Sequence, residues 1–283
     1  MKPGRKYATG AALRIALEER LKRTAREEGI DVQRLRRQVA FDRFLARLFH
    51  APNPNWVLKG GYAMELRFQT ARATKDLDFT VRALPANATD MILTELQDVG
   101  ANDLEDYFSF RVAEAVMDLD GAPYGGSRYP VECILGGRTF VKFHLDVGVG
   151  DIVVDPPEQA VVRDWLGFAG IPVPTVPMIQ REQQFAEKLH AYTLPRGAAP
   201  NSRVRDLVDM VLLVQSQTME LGRVAEALEA TFGRRDTHPV PDTLNPPPED
   251  WDEPFARLAA ECNLELAASE AFRVLEDFYG NLP

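Results

Sequence analysis

Asp76 and Asp78, in Lys75-Asp76-Leu77-Asp78-Phe79, stand two residues apart at the start of an apolar run. On a strand that spacing turns both carboxylates to one face. Two carboxylates on one face suit one or two Mg²⁺ ions, which favour oxygen ligands and often keep substrate phosphates among them. Upstream, Lys59-Gly60-Gly61-Tyr62 places two glycines between a short apolar strand and a short helix. Such glycines let the backbone approach a ligand closely, and the helix start offers free N–H groups to a phosphate. Either feature alone is commonplace, since a Gly-Gly pair is usually a turn and Asp-x-Asp a solvated strand end. Together, at this separation, they match the needs of nucleotidyl transfer, with the glycines holding phosphates and the aspartates a metal. A third carboxylate is available in Phe143-His144-Leu145-Asp146-Val147-Gly148, where Asp146 interrupts an apolar strand. Asp151, after Gly150, reads better as a turn cap. His144 and His190 lie beside these segments without a matching ligand and read as satisfied histidines.

The elements that must position these residues follow from periodicity. Residues 9–28 read as a helix with Leu13, Leu17 and Leu21 on one face and Gly29 as its stop. Asp31 caps a second helix carrying Leu35, Val39, Leu45 and Leu48, and Pro52 and Pro54 end that region. Trp56–Leu58 reads as a strand, 62–68 as a short helix, 77–84 as a strand stopped by Pro85, and 88–99 as a helix ending at Gly100. Three β-rich stretches follow, 107–119, 128–135 and 138–147, the last two flanking the hairpin signal Gly136-Gly137. Residues 51–155 are thus expected to form a mixed α/β domain with a largely antiparallel sheet. The proline-rich stretch 156–178 is expected to connect it to a mostly helical region, with helices over 181–194, 203–216, 219–232, 253–262 and 266–279. Two domains are expected, 1–155 and 156–283.

The 283 residues carry a net charge of −9, unevenly distributed. Residues 1–50 hold 13 Lys and Arg against 6 Asp and Glu, a surplus of seven positive charges, while the remainder stands at −16. A basic front on an acidic body marks either a polyanion-facing surface, with Arg34, Arg36 and Arg37 as the residues facing RNA, or simply Arg-rich solvated helices. No run approaches the roughly 18 apolar residues of a membrane span, and the N-terminus lacks the apolar region of a secretory signal. Cys133 and Cys262 cannot form a disulfide framework and read as inert thiols. A cytoplasmic protein is expected.

Four separated blocks occur together: Gly60 to Asp78; Leu145 to Asp151; Glu187-Lys188-Leu189-His190-Ala191; and Arg203-Val204-Arg205-Asp206-Leu207-Val208-Asp209. In content and order they resemble the AbiEii/AbiGii family of nucleotidyltransferases, toxin halves of type IV-like toxin–antitoxin and abortive-infection systems. Within that family they are similar to the mycobacterial tRNA-targeting toxins. The resemblance implies an α+β, bilobed protein: a polymerase-β-like mixed sheet with N-terminal helices, facing a mainly helical C-terminal domain across a cleft. It implies the catalytic set Asp76, Asp78, Asp146, Lys188 and Asp206. The first three would hold Mg²⁺ or Mn²⁺, Lys188 would offset triphosphate charge, and Asp206 would orient Lys188 or accept a proton. Gly60, Gly61, Arg67, Thr74 and Arg203 would contact the NTP. Tyr62 stands where many relatives carry Ser or Thr, so that hydroxyl contact is replaced by backbone at most. By the same resemblance Thr74 is a phosphorylation site for an antitoxin kinase, and the partners are tRNA and a cognate antitoxin, either a winged-helix regulator or a kinase-like protein. A monomer is expected. The rival readings are a nucleotidyltransferase acting on a protein or small molecule, and a non-catalytic RNA-binding copy of the fold. On its residues alone the 203–209 block is also compatible with an ordinary helix salt-bridged by an Arg205–Asp209 pair.

Overall fold

The computed structural model describes residues 6–51, 53, 55–82, 88–119, 121–197 and 200–283. The first helix, α1 (Gly10–Glu28), begins where the Thr9 hydroxyl accepts from the Ala12 N–H and ends at Gly29, whose φ of +67° few other residues adopt. The next, α2 (Val32–Leu48), starts at Asp31, whose carboxylate accepts from the Gln33 N–H at 2.9 Å. Then come β1 (Trp56–Lys59), α3 (Gly60–Arg67), β2 (Asp76–Val81), α4 (Ala88–Ala101), β3 (Phe108–Val112), β4 (Met117–Asp118), β5 (Gly126–Leu135) and β6 (Arg138–Val149). After β7 (Glu158–Val161) and β8 (Thr175–Met178) the remaining helices are α5 (Arg181–Thr193), α6 (Val204–Gln215), α7 (Leu221–Arg235), α8 (Asp252–Glu261) and α9 (Ala268–Gly280). The expected ends of two segments, at Leu84-Pro85 and at Pro52 and Pro54, lie outside the described residues.

The sheet runs β3-β5-β6-β2-β1-β8-β7, with β4 added to β5. The β5–β6 hairpin turns at Gly136-Gly137, both with positive φ. Beside the antiparallel ladders of β5 with β3, β4 and β6, β2 pairs with β6, and β1 with β8, in parallel, so the sheet is mixed. Strands β7 and β8 also fall inside 156–178, where only a connection was expected. Each is four residues long and set among prolines, too short for alternation to announce it.

The chain forms two compact units that do not follow a single cut at 155/156. The first comprises residues 1–58, 74–150 and 159–178, and the second 59–73, 151–158 and 179–283. The order of the blocks along the sequence thus hides a division: Gly60, Gly61 and Arg67 belong with the helical unit, while Thr74, Asp76 and Asp78 belong with the sheet.

In the first unit α1, α2 and α4 cover one face of the β3-β5-β6 region. Phe41 and Phe44 of α2 meet Phe143 of β6 edge-on, at ring distances of 5.0 and 6.3 Å. Along β5 and β6 the residues alternate between this covered face and a half-open one. At the turn, α1 and the hairpin touch backbone to backbone. A Cβ at Gly10 would come within 2.7 Å of Gly136 Cα, and one at Gly136 within 2.6 Å of the Gly10 carbonyl carbon. Arg14 adds hydrogen bonds to the carbonyls of Leu135, Arg138 and Thr139.

In the second unit α5 packs against α6 and α7, and α6 against α8 and α9. Phe185, Leu189, Leu207, Val211, Phe255 and Leu275 form the centre of this core, joined by Met64 of α3.

A buried ion cluster fastens α2 to the start of β3. Asp106 accepts from Arg43 Nε at 2.7 Å and from Arg47 Nη1 and Nη2 at 3.0 and 2.7 Å, and Arg47 also donates to the Phe108 carbonyl. Burial alone would raise the Asp106 carboxyl's pKa. The Arg47 hydrogen bonds and the two guanidinium charges outweigh burial and hold it below the ordinary carboxylate range. Its contribution to stability is therefore fully present above the unfolded pKa, about 4, and is lost as pH falls through the lower folded value. Asp106→Asn is expected to lower stability by about 3–5 kcal/mol at neutral pH. In denaturant melts across pH it should also flatten the acid limb of the stability curve. A variant with wild-type stability at pH 7 would show that the cluster does not fasten α2.

Candidate functional site

The sheet register brings the sequence-expected carboxylates together. Asp76 pairs with His144, and Asp78 with Asp146, on the adjoining parallel strands β2 and β6. Across the β5–β6 ladder Arg128 stands opposite Asp146. Alternation puts all five on the half-open face, since Leu77, Leu145 and Tyr129 between them are buried. His144 Nδ1 lies 3.1 Å from Asp76 Oδ1.

Arg128 changes the expected picture of Asp146. Its Nε and Nη2 donate to the two Asp146 oxygens at 2.7 and 2.6 Å, and Nη2 reaches Asp76 at 3.5 Å. The hydrogen bonds to Asp146, with the charges of Asp76 and Asp78 behind them, hold the guanidinium's pKa well above its ordinary value. Among the described residues no group of three His, Cys, Asp or Glu is assembled to hold a metal ion. Asp76 and Asp78 do fit a hard divalent cation: both offer oxygen donors, on one face, half-buried. Asp146, the expected third ligand, is instead bound by Arg128.

The same face opens into a cavity of about 810 Å³ that reaches Asp76. Among the described residues Arg37, Lys75, Arg111, Arg128 and Lys142 line it against two carboxylates, Asp76 and Glu132. Arg37 also donates to the Thr74 carbonyl at 3.3 Å, and the Thr74 hydroxyl to the Asp76 carbonyl at 3.3 Å. Arg36, grouped with Arg37 by sequence, is turned away to an ion pair with Glu18 at 2.6 Å.

In the helical unit Lys188 lies buried on α5. Its ammonium donates to Asp209 at 2.6 Å and to Asp206 at 3.3 Å, and Asp209 also receives Arg72 Nε and Nη2 at 3.1 and 2.7 Å. Burial would lower the Lys188 pKa, but Asp209 and then Asp206 outweigh it and keep the residue cationic. The Arg205–Asp209 pair offered by helix spacing is corrected: Asp209 faces the interior, whereas Arg205 is exposed. Arg203 is half-exposed, 3.7 Å from Asp206.

A second ion cluster, which meets α5 at Glu187, adjoins the glycine turn. Lys59 donates to Asp151 at 2.6 Å and Glu187 at 3.2 Å, and Arg235 to Asp151 at 3.0 Å. Asp151 is therefore a buried acceptor rather than a turn cap. Gly60 adopts φ +66°, and its carbonyl accepts from Gln184 at 2.7 Å. Tyr62 is buried, which leaves only backbone at this turn to meet a phosphate. Arg67, expected as a nucleotide contact, is also buried; Glu158, Gln184 and the Ile179 carbonyl engage its guanidinium, so it supports the helix packing instead. His190 is satisfied by Thr237 at 2.8 Å; burial and the Arg235 charge push its pKa down to about 4, so it is neutral.

Sequence reasoning missed Arg128, Asp209's inward role, Arg72 and Lys59. Only Arg128 left a trace, as a charged residue on an alternating strand at a position whose partner strand carries Asp146.

The family model for the nucleotidyl transferase AbiEii toxin, type IV TA system, matches residues 43–277. Among solved structures the chain is similar to MenT4, a nucleotidyltransferase toxin from Mycobacterium tuberculosis H37Rv, with 19% identity, a TM-score of 0.58, and coverage of 92% of this chain and 93% of that one. It is also similar to JHP933 from Helicobacter pylori, with 15% identity, a TM-score of 0.45, and coverage of 88% and 95%. No curated protein sequence matches the chain.

The Lys188 cluster makes an energetic statement that can be measured. Removing Asp209 leaves Lys188 and Arg72 without their shared acceptor, so Asp209→Asn is expected to cost about 3–5 kcal/mol of unfolding free energy, and Asp206→Asn clearly less. Double-mutant cycles with Lys188→Met should give the larger coupling to Asp209. A larger coupling to Asp206 would mean that Asp206, not Asp209, fixes the lysine.

Proposed function

Because the chain belongs to the nucleotidyl transferase AbiEii toxin family of type IV toxin–antitoxin systems, we propose that it transfers the NMP of an NTP to the 3′ end of tRNA, in a reaction dependent on Mg²⁺ or Mn²⁺. The observation that carries this reading is the β2–β6 register, which sets Asp76, Asp78 and Asp146 side by side on one open face. Asp76 and Asp78 would hold a divalent ion there, which would supply electrostatic stabilisation of the charge that develops in phosphoryl transfer.

The protein's own groups have the following roles. Asp76 and Asp78 supply the metal's oxygen donors. The backbone N–H groups after Gly60 receive phosphate at the α3 N-terminus. Lys188, kept cationic by its carboxylate partners, offsets charge on the departing pyrophosphate, and Arg203 adds a phosphate contact. Asp209 and, at longer range, Asp206 orient Lys188. The acceptor's hydroxyl attacks the α-phosphorus in line and its 3′-terminal phosphates run along Arg37, Lys75, Arg111 and Lys142, a cation-rich lining suited to a polyanion and ill-suited to a small neutral acceptor. Extension of the 3′ end would block aminoacylation and so translation and growth. The family implies a cognate antitoxin. Phosphorylation of Thr74, whose hydroxyl bonds the Asp76 carbonyl, would set negative charge beside the metal carboxylates and inactivate the site.

Incubation with labelled NTPs and total tRNA is expected to label RNA, and Asp76→Ala to reduce that labelling by about a hundredfold or more and to abolish growth inhibition. Label in protein or small molecules with none in RNA would overturn the acceptor. A fully toxic Asp76→Ala would overturn the chemistry. Arg37→Glu is expected to weaken tRNA binding and reduce its salt dependence, while Arg36→Glu, whose native residue is already paired with Glu18, leaves both nearly unchanged. Equal effects of the two would assign binding to the net charge of α2 rather than to the cavity.

A further inference from the structure

We propose that Arg128 is a built-in counter-cation for the carboxylate face: it occupies Asp146, and a divalent cation gains Asp146 as a ligand only by displacing the guanidinium. The inference rests on the metal-dependent reading above and concerns how the metal gains its site.

Three observations carry it. First, the pairing is built into the sheet. Arg128 and Asp146 are direct cross-strand partners in the β5–β6 ladder, on the same face, and opposite charges at such positions attract. Second, the contact is complete. Both carboxylate oxygens are taken by the two-pronged guanidinium at 2.7 and 2.6 Å, the strongest form of this interaction. Third, the face needs a positive charge when no metal is bound. Asp78 and Asp146 are register partners on adjacent strands, and like charges so placed repel. Arg128 offsets that repulsion and reaches Asp76 as well, at 3.5 Å.

An arginine that only braced the sheet would be indifferent to metal. This one is 28% exposed while Asp146 is 14% exposed, so the guanidinium has room to leave and the carboxylate remains behind. Asp76 and Asp78, side by side on the same face, would form the first foothold for the ion. Arg128 then sets a threshold: the bare protein binds metal weakly, and filling Asp146 releases a cation on the lining of the same cavity, where an anionic substrate would receive it.

Mn²⁺ titration of the 283-residue protein without nucleotide, followed by the electron paramagnetic resonance of free Mn²⁺, tests this directly. Arg128→Gln is expected to tighten Mn²⁺ binding about tenfold, the order of one strong charge-assisted pair. Arg128→Lys, which offers a single point charge, should tighten it by a smaller factor and keeps the test open should the glutamine variant unfold. Asp146→Asn should change affinity by less than about twofold in the wild-type background, where Asp146 is masked, yet cancel the whole gain in the Arg128→Gln background. Unchanged or weaker Mn²⁺ binding in both Arg128 variants, with binding still lost in Asp76→Asn, would overturn the counter-cation while leaving the metal site standing. Absence of Mn²⁺ binding in every form, wild type included, would overturn the metal-dependent reading and this inference with it.

Discussion

The register of β2 against β6 is the constraint on which the sheet unit's chemistry depends. Because side chains alternate strictly, the pairing that sets Asp78 beside Asp146 also buries Leu77, Phe79, Leu145 and Val147 on the opposite face. A slip of one residue on either strand would send carboxylates into the apolar layer beneath α2 and bring leucines to the open face. Burial of these apolar residues is therefore what fixes the polar constellation. The hydrophobic effect acts here as the positioning force, and the carboxylates are carried along by it.

The helical unit solves a different problem. Lys188 and Lys59 both lie on or beside α5 with their ammonium groups out of water, each held by two carboxylates, and Arg72 and Arg235 complete the two clusters. Such buried pairs add little net stability compared with apolar packing, but breaking one is costly. Their effect is to give long, flexible side chains one orientation. Asp209 is the centre of one cluster and Asp151 of the other, and both were less conspicuous in the sequence than the aspartates of Asp-x-Asp.

How much could be read beforehand follows the range of the interactions. Local signals survived folding well: the Asp31 cap, the Gly29 stop and the Gly136-Gly137 turn all rest on neighbours within a few residues. The Asp-x-Asp face was legible because strand alternation is a local property, and the blocks up to Asp209 pointed to the family that the match over 43–277 establishes. What stayed hidden required a partner far along the chain. Arg128 acquires its meaning from Asp146, Arg72 from Asp209, and Lys59 from Asp151, Glu187 and Arg235, and no spacing rule links them. Arg67 misled for the same reason: a charged residue in a promising block turned out to bond Glu158 and a distant carbonyl. Strands β7 and β8 were missed because a four-residue strand among prolines owes its existence to the neighbour it pairs with.

The closeness of Gly10 to Gly136 has a consequence for the order in which the molecule is made. Helix α1 is synthesised more than a hundred residues before the surface that receives it, the hairpin turn and the carbonyls of Leu135, Arg138 and Thr139. Until then its leucine face has no cover from that hairpin, and contacts of such long sequence separation form slowly. The sheet unit thus closes only late in synthesis, so the carboxylate face is completed after most of the sheet's residues have emerged. For a member of a toxin family, a half-made chain is a chain without its docked first helix.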